Sequence, residues 1–140
     1  MNTEQIAVFF YGLFMDQSLL AAKGIRPSRA LAGHVEGYLL RIGSRATLVQ
    51  DRNHKVYGVL MTIGAEEVTA LYSEESVADY EAEIVTVALA DGTHEAAVCY
   101  ILPESTLQGT NAQYASALLE LAARLNFPAH YLQQIRDQAA

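Results

Sequence analysis

Cysteine is almost absent from this sequence of 140 residues, and the classical metal and nucleotide motifs are missing as well. With a single cysteine, Cys99, no disulfide framework can form within the chain. Cys99 lies in an apolar, strand-like run, which predicts a buried and unreactive thiol. The four histidines do not have the spacing of metal ligands. Because the Gly-x-Ser-x-Gly, Walker A and Gly-x-Gly-x-x-Gly motifs are also lacking, we predict neither a bound metal nor a cofactor.

Positive charge and long apolar runs are scarce too. The chain has 9 lysines and arginines against 16 acidic residues, a net charge of −7 and a pI of about 4.9. This balance disfavours nucleic acid or an anionic membrane as a partner. No run approaches the roughly 20 apolar residues of a membrane span, and the first residues lack the basic region of a signal peptide. We therefore expect a cytoplasmic protein, and its acidic balance still allows a small anion to bind at a backbone loop or a helix end.

Length and hydrophobic content indicate one domain, residues 1–140, since 51% of the residues are hydrophobic. Apolar runs typical of strands cover residues 6–11, 38–42, 46–49, 56–63, 80–89 and 94–102. Between the last two, Asp91-Gly92 predicts a tight antiparallel hairpin. The polar stretch from Asp51 to His54 predicts a second hairpin turn.

Helical signals are fewer and cluster near the C-terminus. Residues 65–72 predict a short helix with Glu66 and Glu67 in its first turn. Asn111 is a suitable N-cap for a longer helix with a continuous apolar face, and Pro128 marks the start of another. The order of elements predicts an α+β fold, with a small, mixed, largely antiparallel, barrel-like sheet and helices around it.

A glycine turn after the first strand is the first candidate for chemistry. The apolar strand ends at Tyr11-Gly12, and Asp16 then opens a short helix that Gly24 can end. A turn between a strand and a helix start directs backbone N–H groups at whatever lies there, and carboxylates or phosphates are the natural ligands. A turn that binds nothing is the other interpretation of the same residues.

An acidic segment in apolar surroundings is the second candidate. Glu74, Glu75 and Asp79 lie between a predicted helix and a long strand, and their apolar neighbours are Leu71, Tyr72 and Tyr80. A solvated loop is one interpretation, because clustered charges are usually exposed. The other is a general base, since a half-buried carboxylate has a raised pKa and can accept a proton near neutral pH.

Four segments also match a known family in order and spacing. They are Phe9-Phe10-Tyr11-Gly12; Val56-Tyr57-Gly58-Val59-Leu60; Leu71 to Glu75 followed by Tyr80; and Tyr100, Tyr114 and Leu125-Asn126-Phe127-Pro128 with Tyr131. Over nearly its whole length, the chain resembles the γ-glutamylcyclotransferase family, which includes the AIG2-like proteins. The resemblance implies the fold described above and a small γ-glutamyl compound as substrate.

The resemblance also implies roles for individual residues. Glu75 matches the catalytic glutamate of the family, whereas the adjacent Glu74 does not. Tyr11, Gly12, Leu13 and Phe14 match the substrate-binding loop. The family resemblance makes Tyr114 a further residue that contacts substrate, and Tyr80 and Tyr100 weaker matches near the pocket.

The implied reaction is an intramolecular aminolysis that yields 5-oxoproline and a free amine or amino acid, with no metal and no cofactor. Leu13 replaces the usual Ser or Thr of the loop, Ser76 replaces the Gly after the glutamate, and Tyr72 replaces an Asp. These departures leave two alternatives open. One is a non-catalytic module that binds a small carboxylate on the same fold, and the other is an enzyme that acts on a γ-glutamylamine.

Overall fold

The computed structural model describes residues 4–73, 79–103, 109 and 111–139. Its strands are β1 (Gln5–Phe10), β2 (Arg29–Ile42), β3 (Ala46–Gly64), β4 (Glu81–Leu89) and β5 (His94–Ile101). Its α-helices are α1 (Gln17–Ala22), α2 (Ala65–Leu71), α3 (Ala112–Arg124) and α4 (Ala129–Ala139). A short 3-10 turn, Leu13–Met15, precedes α1. Within the described residues, no helix is long and apolar enough to cross a membrane.

The five strands close into a barrel in the order β1-β3-β2-β4-β5. β1 and β5 are parallel, at the register Val8 to Val98, and the other neighbours are antiparallel. Buried side chains from all five strands and from the helices form a single hydrophobic core. This architecture confirms the predicted α+β fold with a mixed, largely antiparallel, barrel-like sheet.

The hairpin between β4 and β5 forms where the sequence predicts it. Gly92 adopts a φ of +89°, a left-handed conformation that glycine reaches without steric cost. The Asp91 carboxylate accepts a hydrogen bond from the Thr93 backbone N–H at 2.9 Å, and the Leu89 N–H donates to the Thr93 carbonyl at 2.9 Å. The turn at Asp91-Gly92 therefore sets the antiparallel pairing of β4 with β5, as the sequence predicts.

The second predicted hairpin, at residues 51–54, is wrong. These residues stay within β3, and the strand on both sides of them pairs with β2, through Lys55 to Glu36 and through Gln50 to Tyr38. Opposite the four residues lies only Gly37, whose φ is +88°. The polar stretch is thus an irregular bulge in a long strand, and the chain does not reverse there.

The reversal between β2 and β3 lies instead at residues 43–45, where the Gly43 N–H donates to the Arg45 carbonyl at 2.9 Å. β2 also begins nine residues before the predicted strand at 38–42. Gly33 in this early part approaches β4 closely, because a Cβ there would lie 2.7 Å from the Val87 side chain. Small residues here allow β2 to close the barrel against β4.

The helix ends follow the predicted capping residues. The Asp16 side chain accepts a hydrogen bond from the Ser18 N–H at 2.9 Å at the start of α1, and the Asn111 side chain accepts one from the Tyr114 N–H at 2.9 Å at the start of α3. α1 ends at Ala22 with Lys23 as its C-cap, and the next residue, Gly24, has a φ of +80°. The 3-10 turn separates Gly12 from α1, so α1 does not begin directly at the glycine loop.

Candidate functional site

A cavity of about 360 Å³ opens beside the end of β1. Segments that are distant in sequence build its wall: the loop after β1, helix α1, the β2–β3 turn, the end of α2, the residue before β4, and α3. The lining residues are Phe10, Tyr11, Gly12, Leu13, Phe14, Leu19, Lys23, Arg45, Ala46, Tyr72, Tyr80 and Tyr114. The cavity is therefore mostly aromatic and apolar, with two cationic side chains.

Gly12 and Tyr114 are in direct contact at this wall. Gly12 has a φ of −110°, which any residue can adopt. A Cβ on Gly12 would nevertheless lie only 2.6 Å from the Tyr114 hydroxyl oxygen, so the position has room for hydrogen alone. Burial raises the pKa of Tyr114 to about 12, and a hydrogen bond from the Leu13 backbone N–H partly opposes this shift. The structure thus brings Gly12, Leu13 and Tyr114 together.

Tyr11 lines the cavity, but its hydroxyl bonds within the protein. The hydroxyl donates to the Tyr100 backbone carbonyl at 2.7 Å, which ties the end of β1 to β5. Burial raises the pKa of Tyr11 well above its usual value. Tyr11 therefore stays neutral and supports the wall of the cavity.

Aromatic rings form a continuous surface from the loop to the end of α2. Phe14 contacts both Phe10 and Tyr72 edge to face, with ring centroids 5.8 Å apart in each pair. Tyr72 stacks on Tyr100 at 3.8 Å, so Tyr100 lies behind the lining residue and not among the lining residues. Tyr72 also lies 6.2 Å from Tyr80, between ring centroids. The sequence pointed to Tyr72 as a neighbour of the acidic segment and as a departure from the family pattern.

Arg45 and Tyr80 form the polar edge of the cavity. The Arg45 guanidinium pairs with both oxygens of Asp79, at 2.6 and 2.9 Å, and lies 5.8 Å above the centre of the Tyr80 ring. The Tyr80 hydroxyl donates to the Ala46 carbonyl. Arg45 holds the pKa of the Asp79 carboxyl below its usual value, mainly through the hydrogen bonds between them.

Sequence reasoning missed both cations of the lining, Lys23 and Arg45. Their one signal was scarcity, since few basic residues occur in this acidic chain. Neither the end of α1 nor the β2–β3 turn indicated that its basic side chain faces a cavity. Only the closed barrel brings these two elements beside the loop that follows β1.

Comparison with known proteins assigns the chain to a family. The family model described as "Gamma-glutamyl cyclotransferase, AIG2-like" matches residues 8–118, which is most of the chain. The chain belongs to this family. No curated protein matches its sequence significantly.

Solved structures share the fold of this AIG2-like chain at low sequence identity. A gamma-glutamyl cyclotransferase is 17% identical, with 95% of this chain and 87% of that one covered and a TM-score of 0.74. YkqA from Bacillus subtilis is 21% identical over 97% of this chain, with a TM-score of 0.79, and this chain spans 54% of YkqA. A gamma-glutamyl cyclotransferase from yeast, described as specific to glutathione, is 16% identical, with 97% and 98% covered and a TM-score of 0.64. These likenesses show a common fold.

Glu75, the predicted catalytic residue of this AIG2-like domain, lies outside the described residues, as do Glu74 and Ser76. On either side of that segment, Tyr72 and Tyr80 both line the cavity. Among the residues that the structure describes, no group of three or more His, Cys, Asp or Glu side chains could hold a metal ion.

Proposed function

We propose that this protein is a γ-glutamylcyclotransferase-like enzyme, which converts a γ-glutamyl compound to 5-oxoproline and a free amine or amino acid. One observation carries the proposal. A single cavity joins the loop of Gly12 and Leu13 to Tyr114 and to residues on both sides of the segment that holds Glu75. These are the positions that the family resemblance links to substrate binding and catalysis.

The proposed reaction needs one proton acceptor and one set of hydrogen-bond donors. The α-amine of the γ-glutamyl group attacks the γ-carbonyl carbon, and a C–N bond forms to close the five-membered ring. The bond from that carbon to the leaving nitrogen then breaks. The base takes a proton from the attacking amine and returns it to the leaving amine, so that no other reactant is consumed.

Loop donors suit the anionic parts of this substrate. The N–H groups of Met15 and Asp16 close the 3-10 turn onto the carbonyls of Gly12 and Leu13, at 3.0 Å each, and the Leu13 N–H bonds to Tyr114. We propose that backbone N–H groups of this loop donate to the substrate. Backbone donors aimed at a carboxylate or at a developing oxyanion stabilise it without reorganisation.

Glu75 is the proposed base. It follows Tyr72 by three residues, and three residues span at most about 11 Å. Since Tyr72 lines the cavity, this short tether supports a carboxylate that reaches the bound substrate. A positioned base of this kind contributes roughly 10²–10⁴-fold to the rate.

Release of 5-oxoproline tests the proposal directly. The purified protein is incubated with a panel of γ-glutamyl amino acids and γ-glutamylamines, and mass spectrometry follows 5-oxoproline. We expect release from at least one member of the panel. Binding without release, measured by calorimetry, would favour the non-catalytic carboxylate-binding module, for which Leu13 in place of a hydroxyl residue is the specific evidence.

A further inference from the structure

We infer that the leaving group of the substrate carries an aromatic ring, which packs against an apolar subsite formed by the side chains of Phe14, Leu19 and Tyr72. The inference rests on the proposed function and adds the class of leaving group to it. It concerns these three side chains, whereas the backbone of residues 12–14 is proposed to hold the γ-glutamyl end.

The three side chains of the apolar subsite keep part of their surface open. Phe14, Leu19 and Tyr72 all line the cavity, and each is half-buried. They come from three different elements, since Phe14 lies in the 3-10 turn, Leu19 in α1 and Tyr72 at the C-cap of α2. Apolar surface that several elements gather in one concavity is typical of a ligand site, because a ligand that covers it removes it from water.

Two tyrosines of the same wall add ring surface to it. The Tyr11 hydroxyl donates to the Tyr100 carbonyl at 2.7 Å, and the Tyr80 hydroxyl donates to the Ala46 carbonyl. A tyrosine has one hydroxyl proton, and here both protons are used within the protein. Tyr11 and Tyr80 therefore contribute mainly apolar surface to the cavity, although both are polar residues.

The geometry of the rings favours an aromatic occupant over an aliphatic one. Phe14 contacts Phe10 and Tyr72 edge to face, and Tyr72 stacks on Tyr100 with 13° between the ring planes. A further ring can extend this arrangement, and aromatic pairs in such geometries are stabilised beyond the area that they bury. Because these rings are already fixed by packing, they lose little side-chain entropy when a ligand binds.

The size of the cavity fits a γ-glutamyl group joined to one ring. Its volume of about 360 Å³ lies at the lower end of the range for small-molecule sites, roughly 300–1,000 Å³. A γ-glutamyl compound with a small leaving group would leave the apolar subsite in contact with water. A ring on the leaving group would cover it.

Two matched pairs of compounds test the inference: γ-glutamylphenylalanine with γ-glutamylalanine, and γ-glutamylphenethylamide with γ-glutamylethylamide. Within each pair only a phenyl group differs, so the charge of the leaving group is the same. In each pair that the wild-type protein turns over, kcat/KM for 5-oxoproline release should be about tenfold to a hundredfold higher for the phenyl compound, because its ring buries apolar surface. Equal values within each pair would overturn the inference and would leave the proposed function intact.

Variants of the apolar subsite test which residues give this preference. Leu19→Ala and Tyr72→Leu should each lower the ratio of the two kcat/KM values about threefold to tenfold, because each removes surface that the ring contacts. Tyr72→Phe keeps the ring and should keep the ratio. Leu31→Ala is the matched control, since Leu31 is an exposed leucine of β2 that does not line the cavity.

A ratio that Leu19→Ala and Tyr72→Leu leave unchanged, or that Leu31→Ala lowers equally, would overturn the assignment of the subsite. A thermal melt of each variant separates these effects from unfolding.

Failure of the proposed function gives a different result. If the wild-type protein releases 5-oxoproline from none of the four compounds, the proposed function fails, and calorimetry with the same compounds decides whether the subsite exists. Tighter binding of the phenyl compounds, weakened by both Leu19→Ala and Tyr72→Leu, supports a subsite for an aromatic ring. Equal affinity within each pair, or no binding of any compound, overturns it.

Discussion

Gly12 lacks a side chain because of the space around it, and its backbone conformation does not require glycine. Its φ of −110° suits any residue, and the Tyr114 hydroxyl occupies the place where a Cβ would point. The sequence indicated a glycine turn that binds a ligand, which stays a prediction, and it did not indicate the contact with Tyr114. Tyr114 lies on α3, and only the folded chain brings α3 to the end of β1.

The contact at Gly12 predicts the outcome of a small substitution. Gly12→Ala should weaken binding of 5-oxoproline about tenfold or more, because the new Cβ displaces the Tyr114 ring or the loop itself. Tyr114→Phe removes the hydroxyl, and the next nearest atom of the ring then lies 3.9 Å from the Cβ. The substitution at Gly12 should therefore cost less in the Tyr114→Phe background. Calorimetric titration of the four proteins measures this coupling, and purely additive effects would contradict the contact.

At the scale of elements, the sequence correctly predicted the hairpin whose turn residues have a specific capping side chain and a glycine. It wrongly predicted the hairpin for which the only signal was a polar stretch. Asp91-Gly92 supplies a side-chain acceptor and a residue at positive φ, and the β4–β5 hairpin forms there. Asp51 to His54 are polar because this part of β3 is partly exposed, and they bulge opposite Gly37. Polarity alone does not distinguish a turn from an exposed bulge.

The hydrogen bond that links the end of β1 to β5, where the barrel closes, predicts the effect of a substitution on stability. Tyr11→Phe should lower the free energy of unfolding by about 1–3 kcal/mol, because the Tyr100 carbonyl loses its donor in a partly buried place. Urea denaturation measures this. Tyr100→Phe is the matched control, since the bond uses the Tyr100 backbone carbonyl and the control leaves that carbonyl in place. An equal loss in both variants would show that the hydroxyl of Tyr11 has no special part in closing the barrel.

At the scale of the whole molecule, the family could be predicted from the sequence, whereas the composition of the cavity wall could not. Ordered short motifs indicated the family, and the family model and the fold confirm it. The placement of Arg45, Lys23 and Tyr72 around one cavity was not predictable, since each lies on a different element. These three residues come together only when the barrel closes. Sequence signals for single strands and hairpins do not predict how it closes.

Burial of several tyrosines around one cavity predicts how stability depends on pH. Burial raises the pKa of Tyr11, Tyr72, Tyr80 and Tyr114 above the value of about 10 in an unfolded chain. The neutral form is favoured in the folded state, so this contribution to stability is complete below pH 10 and is lost as the pH rises through the folded pKa values. We expect the free energy of unfolding to fall from about pH 10 upward.

Tyr72→Phe provides the measurement for this pH dependence. It keeps the ring that stacks on Tyr100 and removes one ionisable group. Between pH 9 and pH 11 the variant should lose less stability than the wild-type protein, by up to about 1.4 kcal/mol at pH 11. Urea denaturation across this range compares the two, and parallel curves would count against a buried, neutral Tyr72.

The rate of 5-oxoproline release in Glu75→Gln, compared with Glu74→Gln and the wild-type protein, tests most directly whether Glu75 is the base of a cyclotransferase reaction. We expect Glu75→Gln to fold normally and to lose about 10²-fold or more in kcat, since the change removes the proton acceptor and keeps the size of the side chain. Glu74→Gln should retain the wild-type rate. The rise of the wild-type rate with pH should report deprotonation of Glu75. Release of 5-oxoproline by Glu75→Gln at the wild-type rate would show that Glu75 is not the base.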